Sequence, residues 1–163
     1  MQPLMSDLPH WLQLALILAP ALGTSFAAIA LILNVSQSRK TNAQARAALV
    51  AGSLKGFAED QDIQRAFYAI EYSEFKYDDS FHKSDRERQV DKLLRHFANI
   101  ALAWQARLLS TSDVRPIQYY VLTVVRDAEI QKYLDYVAAW TKEGNLGEHP
   151  YAVLSSLAQE LGK

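Results

Sequence analysis

The 163-residue chain contains no cysteine. Disulfides, thiolate metal ligands and cysteine nucleophiles are excluded together, and a reducing compartment fits that composition. Glycine (6) and proline (5) are scarce and cluster at a few breaks, and no internal repeat or low-complexity tract interrupts the rest. The sharpest lack is local: from Leu8 to Ser38 there is no Asp, Glu, Lys or Arg. Of the 18 acidic residues only Asp7 precedes that stretch, so 17 acidic residues face all 17 basic ones after it. Such a balance exerts no global pull on nucleic acid. The four histidines, His10, His82, His96 and His149, show no metal-ligand spacing. No Gly-rich phosphate loop appears, and no serine has a matching His and Asp context. The sequence therefore predicts no catalytic residue, cofactor, metal or small-molecule substrate, and no enzyme.

What the uncharged stretch does hold is apolar. Gln13–Val35 contains eleven Leu, Ile, Phe or Val residues. As a helix it would extend about 34 Å, enough for a hydrocarbon core of about 30 Å. Those side chains contribute roughly −3 to −6 kcal/mol to insertion. A cleaved signal peptide would want a basic start and a shorter run. A buried core helix would show a polar stripe, which is missing here. The expected organisation is an extracytoplasmic tail over 1–10, a transmembrane helix over 11–36, a juxtamembrane stalk over 37–58 and a helical domain over 59–163. Trp11 stands where an interfacial anchor would. Arg39, Lys40 and Arg46 follow the span, whereas only Asp7 and His10 precede it, so the N-terminus is expected outside and the domain in the cytoplasm, at the inner membrane of a bacterium. These three cations are the expected membrane-surface contacts. Pro20 would kink the span, and Gly23, Ala27 and Ala30 offer a small-residue face for helix packing.

Beyond the stalk the pattern is all-α, an antiparallel helical bundle. Ala43, Ala47, Val50, Leu54 and Phe57 recur on one helical face. Asp60 reads as the N-cap of a helix from Asp62 to Phe75, and 76–83 as a loop. Ser84-Asp85-Arg86-Glu87 reads as a capping box opening a helix whose stripe is Val90, Leu94, Phe97, Ala101, Trp104 and Leu108. Asp113 reads as the cap of a long helix from Val114 to Lys142, ended by Gly144, Asn145 and Gly147. Pro150 opens a last helix in which Tyr151, Leu154, Leu157, Ala158 and Leu161 close the core.

This layout resembles a family of small bacterial single-pass membrane proteins defined as a domain of unknown function. The likeness lies in Leu94-x-x-Phe97-x-x-Ile100-Ala101, followed by a turn and a helix with Ile117 and Arg126. Where that family often places an acidic residue after the aromatic one, this chain has Ala98. The resemblance implies the architecture and no activity.

Several clusters invite a functional reading. Glu71, Glu74, Asp78 and Asp79 gather carboxylates, but a solvated helix end suits them better than a cation site. Arg88, Lys92 and Arg95 form a basic stripe that could meet lipid phosphates, but Glu87 and Asp91 interleave with it and Asp91 to Arg95 reads as an intrahelical pair, so a solvated face suits it better. His96 reads as a surface residue. Tyr119, Arg126, Glu129, Tyr133, Tyr136 and Trp140 form the most suggestive set, because aromatics beside arginine mark protein interfaces; the competing reading places these aromatics in the core. The expected function is a membrane-tethered interaction module or accessory subunit that self-associates or docks a partner protein. The alternative is a small membrane effector whose oligomer perturbs the bilayer. Lipid and protein are the expected partners.

Overall fold

A computed structural model describes residues 36, 37 and 40–163. The expected span up to residue 35, with Gly23, Ala27 and Ala30, lies outside the described residues, as does Arg39. The chain divides into two units, Met1–Ala45 and Arg46–Lys163. In the first, residues 36, 37 and 40–45 are helical, and Lys40 is exposed. The second is all-helical among the described residues, as the periodicity predicts. No helix of the described residues is long and apolar enough to cross a membrane.

The second unit opens with α1, residues 46–59. Val50 and Phe57 are buried and Leu54 is half-buried, but Ala47 is exposed, so only the C-terminal part of the expected face packs. Helix α2 spans Gln61–Glu71, and Asp60 caps it as expected, accepting from the amides of Asp62 and Ile63. It stops before Phe75, because the amides of Glu74 and Phe75 both turn back to the carbonyl of Ala69. Ser73, left-handed at φ 58°, makes that turn.

Helix α3, Asp85–Gln105, is the central element. It packs against α2 and the last helix, and Leu93, Leu94, Phe97 and Ala101 on it are wholly buried. Ser84 caps it by accepting from the Glu87 amide. The reciprocal half of the expected box is displaced by one residue, since Glu87 accepts from the Lys83 amide (2.5 Å). The stripe also ends early. Arg107 adopts φ 59°, the amides of Leu108 and Leu109 both reach the carbonyl of Ala103, and Leu109 turns inward while Leu108 stays 62% exposed.

The expected long helix is divided among four elements. Ser110, rather than Asp113, caps α4 (Thr111–Val114), with Asp113 as the return partner of a full capping box. A 3-10 turn over Arg115–Ile117 leads into α5, Gln118–Arg126. Asp127 then takes an extended conformation (φ −66°, ψ 131°) and caps α6, Ala128–Glu143, through the amides of Glu129 and Ile130. A short acidic side chain that satisfies the orphan amides of a new helix competes with continuing the old one. The apolar spacing runs across this break without a sign of it. Gly144 ends α6, and α7, Ala152–Leu161, buries Leu154, Leu157, Ala158 and Leu161 as expected. Among the described residues no buried side-chain nitrogen or oxygen lacks a partner.

Candidate functional site

The six residues of the expected aromatic interface do not form one surface. Glu129, Tyr133 and Tyr136 gather on α6 against the 72–84 loop; Tyr119 and Arg126 lie on α5; Trp140 is exposed one turn beyond Tyr136.

The loop is held by its own aromatics. Phe75 and Phe81 are buried and meet edge to face at 5.4 Å, and Phe81 meets Tyr133 at 5.1 Å. Glu129 accepts from the Tyr77 amide (3.1 Å) and from Lys132 (2.7 Å). The Lys132 ammonium first, and the Tyr77 amide second, hold its carboxyl below the usual range. The Tyr77 hydroxyl lies 2.9 Å from His82 Nε2, and His82 Nδ1 lies 3.0 Å from Glu87. With Nδ1–H donating to the carboxylate, Nε2 accepts the tyrosine proton. Burial raises the Tyr77 pKa, so this Tyr–His–Glu chain keeps the phenol protonated. The chain ties the loop to the first turn of α3. The Tyr136 ring covers His82 at 4.4 Å.

Tyr133 is core, 3% exposed, and its hydroxyl donates to Asp91 on α3. The buried Tyr151 hydroxyl donates to the same oxygen. Asp91 therefore joins α3 to α6 and to the start of α7. The sequence reading paired Asp91 with Arg95 alone, and that pair is loose at 3.7 Å.

On α5, Tyr119 (59% exposed) donates a hydrogen bond to Glu71, and that bond raises its pKa. Glu71 carries α2 into this group, and with it two tyrosines that the sequence reading left aside. Tyr68 and Tyr72 stack on each other at 5.8 Å and are 45% and 63% exposed. Phe67 lies edge-on to both Tyr68 and Tyr119, which fixes the trio along one edge. The i, i+4 spacing of Tyr68 and Tyr72, off the apolar face of α2, is the sequence signal that marks them. Arg126 lies over the C-terminus of α7, so close that a Cβ on Gly162 would meet its Nη2 at 2.7 Å.

The remaining candidates resolve into structural pairs. Lys92 bridges Asp60 (2.8 Å) and Asp62 (3.1 Å), Arg88 pairs with Asp85, and the basic stripe is thus matched by carboxylates. Asp78 is taken up by Ser80 and Arg86, and no group of His, Asp or Glu among the described residues converges for a metal. His96 is half-buried, not a surface residue: it lies against Phe57 and Phe97, and its Nε2 is 3.1 Å from Ser53 Oγ. Its neighbours come from α1, which one-helix periodicity does not reveal. Arg46 lies 3.4 Å from Asp113.

No protein-family model, no curated protein and no solved structure matches this chain, so its functional reading rests on its own residues.

Proposed function

We propose that this chain is a membrane-tethered helical interaction module, which self-associates or docks a partner protein at the membrane. The tether is one transmembrane helix over 11–36, motivated by the absence of charge between Leu8 and Ser38. The observation that carries the interaction reading is the tyrosine edge of Tyr68, Tyr72 and Tyr119. All three are substantially exposed; Tyr68 and Tyr119 are backed by the buried Phe67, and Tyr72 stacks on Tyr68. Tyrosine brings a large contact area at low conformational cost, and rings held in place by neighbours are already ordered for docking.

The test is absolute mass by light scattering on the full chain, extracted from its native membrane in mild detergent, with every co-purifying protein identified. The expected result is either a whole multiple of the 18.4 kDa protomer or a second protein at fixed ratio. Tyr72→Ser with Tyr119→Ser should dissolve either assembly while helicity is unchanged. A monodisperse single copy in the parent chain, or an assembly indifferent to both substitutions, would overturn the reading.

A further inference from the structure

The C-terminal end of α3 and the N-terminal end of α1 share one end of the helical unit. Lys92 meets Asp60, His96 meets Ser53, and Trp104 and Arg46 line one shallow groove, so α1 runs opposite to α3. Arg107, Leu109, Ser110 and Thr111 also line that groove. Leu108, between Arg107 and Leu109 in the chain, is 62% exposed, turned out by the left-handed Arg107. Trp104 is half-buried, with its indole N–H donated to Thr111 (3.3 Å).

The charge at this end is basic. Arg46 is paired with Asp113, but neither Arg107 nor Arg115 has an ion-pair partner among the described residues. Asp113 is itself committed to Ser110 and Arg46. Arg115 stands two residues after Asp113 and lines the neighbouring groove with Tyr119. An exposed leucine next to an unpaired arginine, near a tryptophan, is a composition that suits a headgroup boundary. Arg46 also stands only eight residues after Ser38, where the uncharged stretch ends, and Arg39 and Lys40 fall between. Eight residues reach at most about 29 Å.

We infer that this end of the unit, Arg46, Trp104, Arg107, Leu108 and Arg115, docks flat on the anionic lipid surface through which the chain is tethered. The inference rests on the tether proposed above and adds to it an orientation. Arg107 and Arg115 meet lipid phosphates, Leu108 enters the headgroup layer, and the loop at the far end of α3 points away. At 1.5 Å per residue, the 21 residues of α3 separate the two ends by about 30 Å.

The absence of cysteine makes the test clean. Leu108→Cys and Asp79→Cys, both exposed positions, are labelled separately with bimane in the full chain. Each is reconstituted in vesicles of phosphatidylcholine, or of phosphatidylcholine and phosphatidylglycerol in equal parts, containing a headgroup-nitroxide lipid. The label at 108 should be quenched by the nitroxide, more strongly with the anionic lipid, and that at 79 only by aqueous iodide. Arg107→Gln and Arg115→Gln should each shift the docked-to-undocked ratio by about fivefold, corresponding to about 1 kcal/mol per arginine at an anionic surface. A label at 108 that iodide reaches and the nitroxide does not would overturn the docking. So would one shielded from both, since a second copy or another protein would then cover it. Alkaline carbonate separates the two proposals. Retention of the chain with an iodide-open 108 overturns docking alone; release of the chain overturns tether and docking together.

Discussion

The Tyr133 hydroxyl donates to Asp91 Oδ1 at 2.8 Å, joining residues 42 apart in sequence. Tyr151 makes the same bond at the same length to the same oxygen. Asp91→Ala leaves two buried hydroxyls without an acceptor. Such groups cost about 1–3 kcal/mol each, so urea unfolding should show a loss of about 2–6 kcal/mol. Asp91→Asn, which retains an acceptor, should lose less. Burial first, and Asp91 second, raise both tyrosine pKa values above the ordinary 10.0. The folded state therefore holds these protons more tightly than the unfolded one. Their stability is complete below about pH 10 and is lost as pH rises above it. Tyr133→Phe with Tyr151→Phe should flatten the alkaline limb of the stability curve.

His96 titrates in the opposite sense. Burial against Phe57 lowers its pKa below the ordinary 6.5, so the unfolded chain binds the proton more readily. Its contribution is present above about pH 6.5 and declines as pH falls through the folded pKa. NMR titration should place His96 below an ordinary histidine. His96→Gln, which keeps an acceptor for Ser53, should remove the histidine's share of the stability slope below about pH 6.5.

Two glycines predict changes of opposite sign. Gly52 sits in α1 with nothing within 4 Å of a Cβ, so Gly52→Ala should stabilise by about 0.5–1 kcal/mol. Gly147 has φ +90°, and Gly147→Ala should destabilise by about 1 kcal/mol although the space is open. Thermal unfolding of both variants checks the pair.

Asp127 receives the amides of Glu129 (3.0 Å) and Ile130 (2.9 Å) where α5 breaks into α6. Asp127→Ala should cost about 1 kcal/mol, and Asp127→Asn distinctly less, in chemical denaturation. An Ala variant as stable as the parent would mean that packing alone sets the break.

Local signals determined much of this. The caps of Asp60 and Ser84, the stripe from Val90 to Ala101 and the closing face from Leu154 to Leu161 are decided within a turn or two of chain, where 3.6-residue spacing and amide capping act. The uncharged Gln13–Val35 segment is legible for the same reason, as a property of consecutive residues. The break at Asp127 was not, because an aspartate that caps and one that stays solvated look alike in sequence. Nor were the partners of Asp91, His96 and Tyr119. These are hydrogen bonds and ring contacts across 42 to 60 residues, and one-helix periodicity says which face a residue occupies but not which helix lies opposite. That same limit separated the expected interface into parts. Tyr133 was drawn into the core by an aspartate from α3, whereas Tyr119 was left at the surface beside Tyr68 and Tyr72. The spacing of apolar residues marked out most of the helical segments, and the packing of one helix against another decided where they break and which aromatics remain exposed.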